Sequence, residues 1–208
     1  LAILTVDSLA GAFLALFFAP LVSKKFGKRN AAFYLAILAV MFASTPYLLR
    51  FAGLMPENGE PGLVAAVFAF SMLFQLCGVS SAVLTHAMIG DIVEESQLRT
   101  GRRSEGLFYA ANTLMQKSTS GLGVFAAGML VALVGIVPGS DPRTIDPEIP
   151  RMLALVYVPT LIVLYIGGAG FLFAYRIDRS SHEANVEELA RRDRASAVNA
   201  DEVPDPAP

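Results

Sequence analysis

Long apolar stretches alternate with short polar ones along the whole chain. Windows free or nearly free of charge cover 8–23, 30–49, 61–90, 106–140 with one lysine inside, and 152–175. Within each window apolar residues follow one another without the in-out alternation of a barrel strand, so each predicts a helix. A bilayer core about 30 Å thick takes roughly 20 apolar residues as helix. Five membrane-crossing helices are therefore expected, over about 1–22, 31–51, 62–90, 106–137 and 152–175. The expected fold is an all-α integral membrane bundle over 1–176, followed by a polar tail over 177–208.

The polar stretches divide into two kinds. SKKFGKRN gathers Lys24, Lys25, Lys28 and Arg29 in a connection short enough to make its two helices antiparallel neighbours. The run DIVEESQLRTGRRSE holds Asp91, Glu94, Glu95, Arg99, Arg102, Arg103 and Glu105 and reads as a water-facing loop. The tail adds Arg176, Arg179, Arg191, Arg192 and Arg194. Loops rich in turn formers over 53–62 and 138–150, with the helix ends beside them, carry only Arg50, Arg143 and Arg151. Lys and Arg are retained on the cytoplasmic face, so helix one starts outside and the C-terminus is expected in the cytoplasm. Tyr34, Tyr47, Tyr157 and Tyr175 fall near expected helix ends, as an interfacial aromatic belt requires. In the tail, 182–193 suits a short surface helix, whereas 200–208 is too acidic and proline-rich to pack.

Composition agrees with this reading. Hydrophobic residues make up 54% and charged residues 16%, with a mean hydropathy of +0.55, too apolar for an ordinary soluble domain. A net charge of −2 gives no basic field for a nucleic-acid partner. Cys77 is the sole cysteine, which excludes an intrachain disulfide and reads as a packing residue. The chain opens at Leu1 inside an apolar run with no cationic segment before it, and is expected to be part of a longer protein.

Candidate chemistry centres on Lys117. It lies about 18 Å into the fourth helix at 1.5 Å per residue, so its ammonium needs a partner or a wet cavity. The alternative is a lysine that snorkels or neutralises a structural carboxylate. Tyr109, Thr113, Gln116 and Ser120 stack on one face, with Asn112 on one flank and Lys117 on the other. Such a stripe suits a cavity for hydroxyl-bearing ligands, and equally suits interhelical hydrogen bonds. Asp7, the one carboxylate inside an expected span, is reckoned at nearly the depth of Lys117, so both are expected to face one cavity. Gln75 is a further candidate lining residue, and His86 reads as a satisfied interfacial histidine rather than a proton relay. Gly121 and Gly128 share a face, and the IGGAG segment at 166–170 thins the fifth helix, so both are expected to let helices approach closely. Pro46 and Pro159 are expected to kink their helices. No His, Cys or acidic cluster has metal spacing, and no nucleophile constellation or phosphate loop is present, so no enzyme activity and no cofactor are expected.

The pattern D-x-x-E-x(4)-R-T-G-x-R-x-E-G, made by Asp91, Glu94, Arg99, Thr100, Gly101, Arg103, Glu105 and Gly106 and followed by Lys117, resembles the C-terminal half of the glycoside-pentoside-hexuronide:cation symporters. These form the melibiose permease-like branch of the major facilitator superfamily. The basic turn at 21–30 looks like that family's loop between its eighth and ninth helices, with Lys24 where the general superfamily motif has an acidic residue and Pro20 where it has glycine. The resemblance implies helices eight to twelve of a twelve-helix carrier and symport of a sugar or glycoside with Na+ or H+ by alternating access. It further implies a bacterial inner-membrane location, lipid contact and a missing N-terminal half as partner. It places Lys117 at the sugar and cation cavity and gives Asp91, Arg103 and Glu105 the role of fastening the cytoplasmic side; Glu94, Arg99 and Arg102 of the same charged run are expected in that cytoplasmic gate. A cation-independent or lipid-like solute carrier of the same superfamily, and a non-transporting membrane scaffold, stand as alternatives.

Overall fold

The structure, a computed structural model, describes residues 2–102, 104–136, 146, 148–175, 185, 187–191 and 194. Five long helices follow one another: α1 (Ala2–Phe26), α2 (Lys28–Phe51), α3 (Pro61–Thr100), α4 (Glu105–Leu133) and α5 (Glu148–Phe171), the last ending in a 3-10 turn at Leu172–Ala174. Helices close all their backbone hydrogen bonds internally, which hydrocarbon demands. Of the described helices, α1, α2, α3 and α5 are long and apolar enough to cross a membrane. The remaining one, α4, has 29 residues, enough length for a span, but carries the polar stripe and Lys117.

Two glycines set the turns on the basic side. Only Gly27 separates α1 from α2, at φ 76°, a conformation that costs glycine little. Gly101 ends α3 at φ 69°, its N–H donating to the Gln97 carbonyl at 2.8 Å. The charged run thus proves helical as far as Thr100, which corrects the expected loop from Asp91 onward. Between Gly90 and Gly101 there is neither glycine nor proline, and Glu95 pairs with Arg99 one turn on, in the orientation a helix favours. Charge alone does not stop a helix. At about 60 Å, this 40-residue helix outreaches the hydrocarbon by some 30 Å.

The core lies where α1, α2 and α3 meet. Asp7, Gly11, Ala15 and Ala19 recur every four residues along α1 and are all buried, forming a stripe of small residues that faces α3. At Gly11 the two backbones come so near that a Cβ there would stand 2.7 Å from the Gln75 Cβ. Ala19, Ala31, Ala32, Leu35, Ala39, Cys77, Leu84 and Met88 continue the core toward the basic end. Ser81 crosses from α3 to donate to the Ala32 carbonyl at 2.8 Å. Among the described residues the close approaches expected at Gly121, Gly128 and the glycines of 167–170 are not found, since none of them lies within 4 Å of where a Cβ at these positions would stand. Helix α4 packs against α3 and buries none of its residues.

Three elements are fastened together at the basic end. The Asp91 carboxylate, 4% exposed, accepts from Lys28 Nζ at 2.7 and 2.8 Å and from the Tyr175 hydroxyl at 2.5 Å. Arg29 donates to the Tyr175 carbonyl at 3.3 Å and lies over the Phe173 ring. Tyr175 lies at the end of the last helix and serves as a hydrogen-bond donor in this cluster. Burial first, then the hydrogen bond to Asp91 and the nearby charges of Asp91, Glu95 and Glu94, push its phenol well above the usual range. A raised phenol keeps its proton, so this contribution is fully present below about pH 10 and fades only above it. At the other end Arg50 braces the 52–60 loop, donating to the Pro56 carbonyl at 2.8 Å and to Asn58 Oδ1 at 3.0 Å. In the tail the described residues, 185, 187–191 and 194, are helical, and Arg191 pairs with Glu188 at 3.0 Å. The rest of the expected surface helix, the 200–208 end and most of the 138–150 loop lie outside the described residues.

Two outcomes follow for the full-length protein. Asp91→Ala strips an acceptor from Lys28 and Tyr175 together. Thermal unfolding in detergent should show a larger loss for it than for Lys28→Ala or Tyr175→Phe, each of which costs about 1–3 kcal/mol, with the double variants less than additive. Equal Tm for Asp91→Ala and wild type would contradict the clamp. Gly11→Val overpacks the α1–α3 seam and should cost about 1–3 kcal/mol, more than Gly11→Ala, in the same measurement.

Candidate functional site

The polar stripe of α4 stands open. Tyr109, Thr113, Gln116, Lys117 and Ser120 are exposed and Asn112 is half-buried, all on a helix whose remaining surface is largely exposed Leu, Met, Val and Phe. The helix forms because its first four turns hold no proline and include Leu107, Ala110, Ala111, Leu114, Met115, Gln116 and Lys117, all good helix formers, and Glu105 lies in the first turn, where it complements the helix dipole. Thr113 returns its hydroxyl proton to the Tyr109 carbonyl at 2.8 Å, leaving the oxygen lone pairs to face outward. Among the described residues no carboxylate lies within salt-bridge distance of Lys117. A face with one cation, two carboxamides and three hydroxyls can donate to and accept from a polyhydroxylated ligand.

His86, expected at the interface, belongs to this face. It stands fifteen residues before Gly101 and Gln116 fifteen after, so the α3–α4 hairpin brings them level, about 20 Å from the turn. His86 Nδ1 lies 2.8 Å from the Ala82 carbonyl oxygen, while its Nε2 lies 3.0 Å from Gln116 Nε2 and 3.5 Å from Asn112 Nδ2. The signal was in the sequence, as the register of a tight hairpin about Gly101, and was hidden by reading 91–105 as a loop.

Asp7 does not join them. It is fully buried on the α1 face that meets α3, one turn before Gly11, and among the described residues neither carboxylate oxygen has a hydrogen-bond partner. The shared cavity of Asp7 and Lys117 is therefore corrected: depth along a helix fixes the level of a residue but not the side it faces. Gln75 is half-buried, with its Cβ in the same α1–α3 seam. A separate crevice of about 410 Å³ lies between α2, α3 and α5 near the Arg50 end, lined by Phe42, Tyr47, Phe70, Phe74 and Tyr157 among others, and contains none of the stripe.

The gate residues part company. Asp91 is held inside this bundle by Lys28 and Tyr175. Glu94 is half-buried on α3, and Arg99 is exposed beside Glu95 on the projecting end. Arg102 is exposed in the turn, where its backbone N–H donates to Thr100 Oγ1 at 3.3 Å. Glu105 opens α4, and Arg103 lies outside the described residues.

The family described as MFS/sugar transport protein matches residues 1–179. The uncharacterized symporter sll1374 of Synechocystis (strain PCC 6803) is 31% identical over 144 residues, 67% of this chain and 26% of its own length. A protein of Escherichia coli (strain K12), provisionally named a 2,3-dihydroxypropane-1-sulfonate exporter, is 28% identical over 184 residues, 88% of this chain and 37% of its own. The lactose permease of Lactobacillus delbrueckii subsp. bulgaricus is 27% identical over 189 residues, 89% of this chain and 28% of its own. The chain thus spans roughly a quarter to a third of the length of these relatives. No solved structure matches it. These are names of transporters, not enzymes. An all-helical apolar bundle, an exposed polar stripe around Lys117 and a match over nearly nine-tenths of the sequence lead to one assignment: the chain belongs to the MFS/sugar transport protein family, a family of integral membrane carriers related to glycoside:cation symporters.

Proposed function

We propose that this chain is the C-terminal half of a secondary active transporter that moves a sugar, as glycoside, pentoside or hexuronide, together with Na+ or H+ by alternating access. The observation that carries the reading is Lys117: an ammonium deep in a long apolar hairpin, exposed, among groups that bind hydroxyls. An N-terminal half of the same transporter is the partner that closes the stripe into a cavity, so five spans here become helices eight to twelve. The C-terminus then lies in the cytoplasm and the protein in a bacterial inner membrane. No cofactor takes part beyond the coupling cation.

The construction suits such a cycle. The Asp91 clamp holds the α1–α2 turn, α3 and the end of α5 as one body, and α4, attached chiefly along α3, presents the solute groups. Arg99, Arg102 and Glu105 stand where a cytoplasmic gate would engage the other half; Asp91 acts behind them as a brace. Lys117 also favours a second reading, a polyhydroxylated sulfonate as solute, since an ammonium recognises an anion directly and one relative bears such a name.

Counterflow of labelled glycosides into vesicles carrying the full-length protein tests the role. Lys117→Ala should reduce exchange at least about tenfold, the loss of roughly 1.4 kcal/mol of solute binding. Normal uptake by the variant contradicts the site. Competition by sulfonated rather than neutral sugars selects the second reading.

A further inference from the structure

We infer that His86 is a positioning residue for the solute, one that fixes which way the Gln116 carboxamide of α4 points; the inference rests on the α4 face being the solute site. The geometry leaves one arrangement of protons for a neutral imidazole. The Ala82 carbonyl can only accept, so Nδ1, 2.8 Å away, carries the hydrogen and donates it. Nε2 is then left with a lone pair, and the group facing it must donate. Gln116 Nε2 at 3.0 Å does so, with Asn112 Nδ2 at 3.5 Å as a longer second contact. An amide whose NH2 is held on the histidine turns its oxygen away from it. Gln116 Oε1 thereby becomes a fixed acceptor on the residue next to Lys117, whose ammonium is a donor.

A fixed acceptor on a helix face that also carries a cation suits the hydroxyls of a sugar ring. A carboxamide that rotates freely offers either end and loses part of its affinity to ordering on binding. A site built to accept from a hydroxyl also discriminates against the analogue that lacks it. His86 therefore sets affinity and the preference for the hydroxylated solute through Gln116.

The test uses full-length carrier in vesicles, with exchange normalised to the protein present. The probe is whichever labelled compound wild type exchanges fastest from a panel of methyl glycosides, methyl pentosides and hexuronides, together with its deoxy analogues. Wild type, His86→Leu, His86→Gln and Lys117→Ala are compared. His86→Leu should raise KM about tenfold with the maximal rate within about twofold, and should narrow the preference over a deoxy analogue. His86→Gln, whose carbonyl can accept in place of Nε2, should restore KM to within about threefold. If Lys117→Ala abolishes exchange but His86→Leu leaves KM and the deoxy preference unchanged, the inference fails and the site reading stands. If His86→Leu lowers only the maximal rate and His86→Gln does not rescue, the histidine is a spacer between helices and the inference fails. If Lys117→Ala is normal, or no compound in the panel is exchanged, the site reading fails and the inference falls with it.

Discussion

Hydrocarbon solvates neither a charge nor an unpaired backbone group, and this constraint divides the bundle into two regions. At the basic end the chain answers a charge from within: Asp91 is nearly inaccessible, yet it accepts from Lys28 and Tyr175, drawn from the α1–α2 turn and the end of α5. Along α4 it leaves a charge unanswered by any described carboxylate. Lys117 is exposed among hydroxyls and carboxamides, the condition in which an ammonium at that depth must border water, a polar solute or another protein surface.

The same division runs through the packing. Small residues at every fourth position let α1 lie against α3 at backbone distance, and α2 closes over both with alanines and Leu35. Side chains this short let the three backbones pack closely in one core. Helix α4 has no such seam. Its link to α3 includes the His86–Gln116 contact, a polar bridge that orders the stripe without burying it.

Much of this was legible in the amino-acid order. Among the described residues each long helix contains one of the apolar windows, and Lys117 stood out because a cation interrupts one of them. What escaped were features set by direction rather than position. Asp91 to Thr100 is charged, but without glycine or proline the helix runs on to Gly101, whose left-handed backbone ends it. Asp7 lies at a plausible depth but on the face turned to α3. Gly121 and Gly128 have the spacing of a contact and no neighbour, whereas the working contact, Gly11, repeats with Ala15 and Ala19 rather than with glycines. His86 acquires meaning only once the hairpin register is known.

Whether water reaches the α4 stripe is the point on which the functional reading turns. Cysteines placed singly at Thr113 and Lys117 of the full-length protein, with buried Cys77 replaced, can be challenged with a membrane-impermeant maleimide in intact vesicles. Both positions should label, and solute should protect them. Failure of both to react, while a cysteine at exposed Arg102 labels fully, would show the stripe sealed in lipid or in a dry contact and would contradict the account.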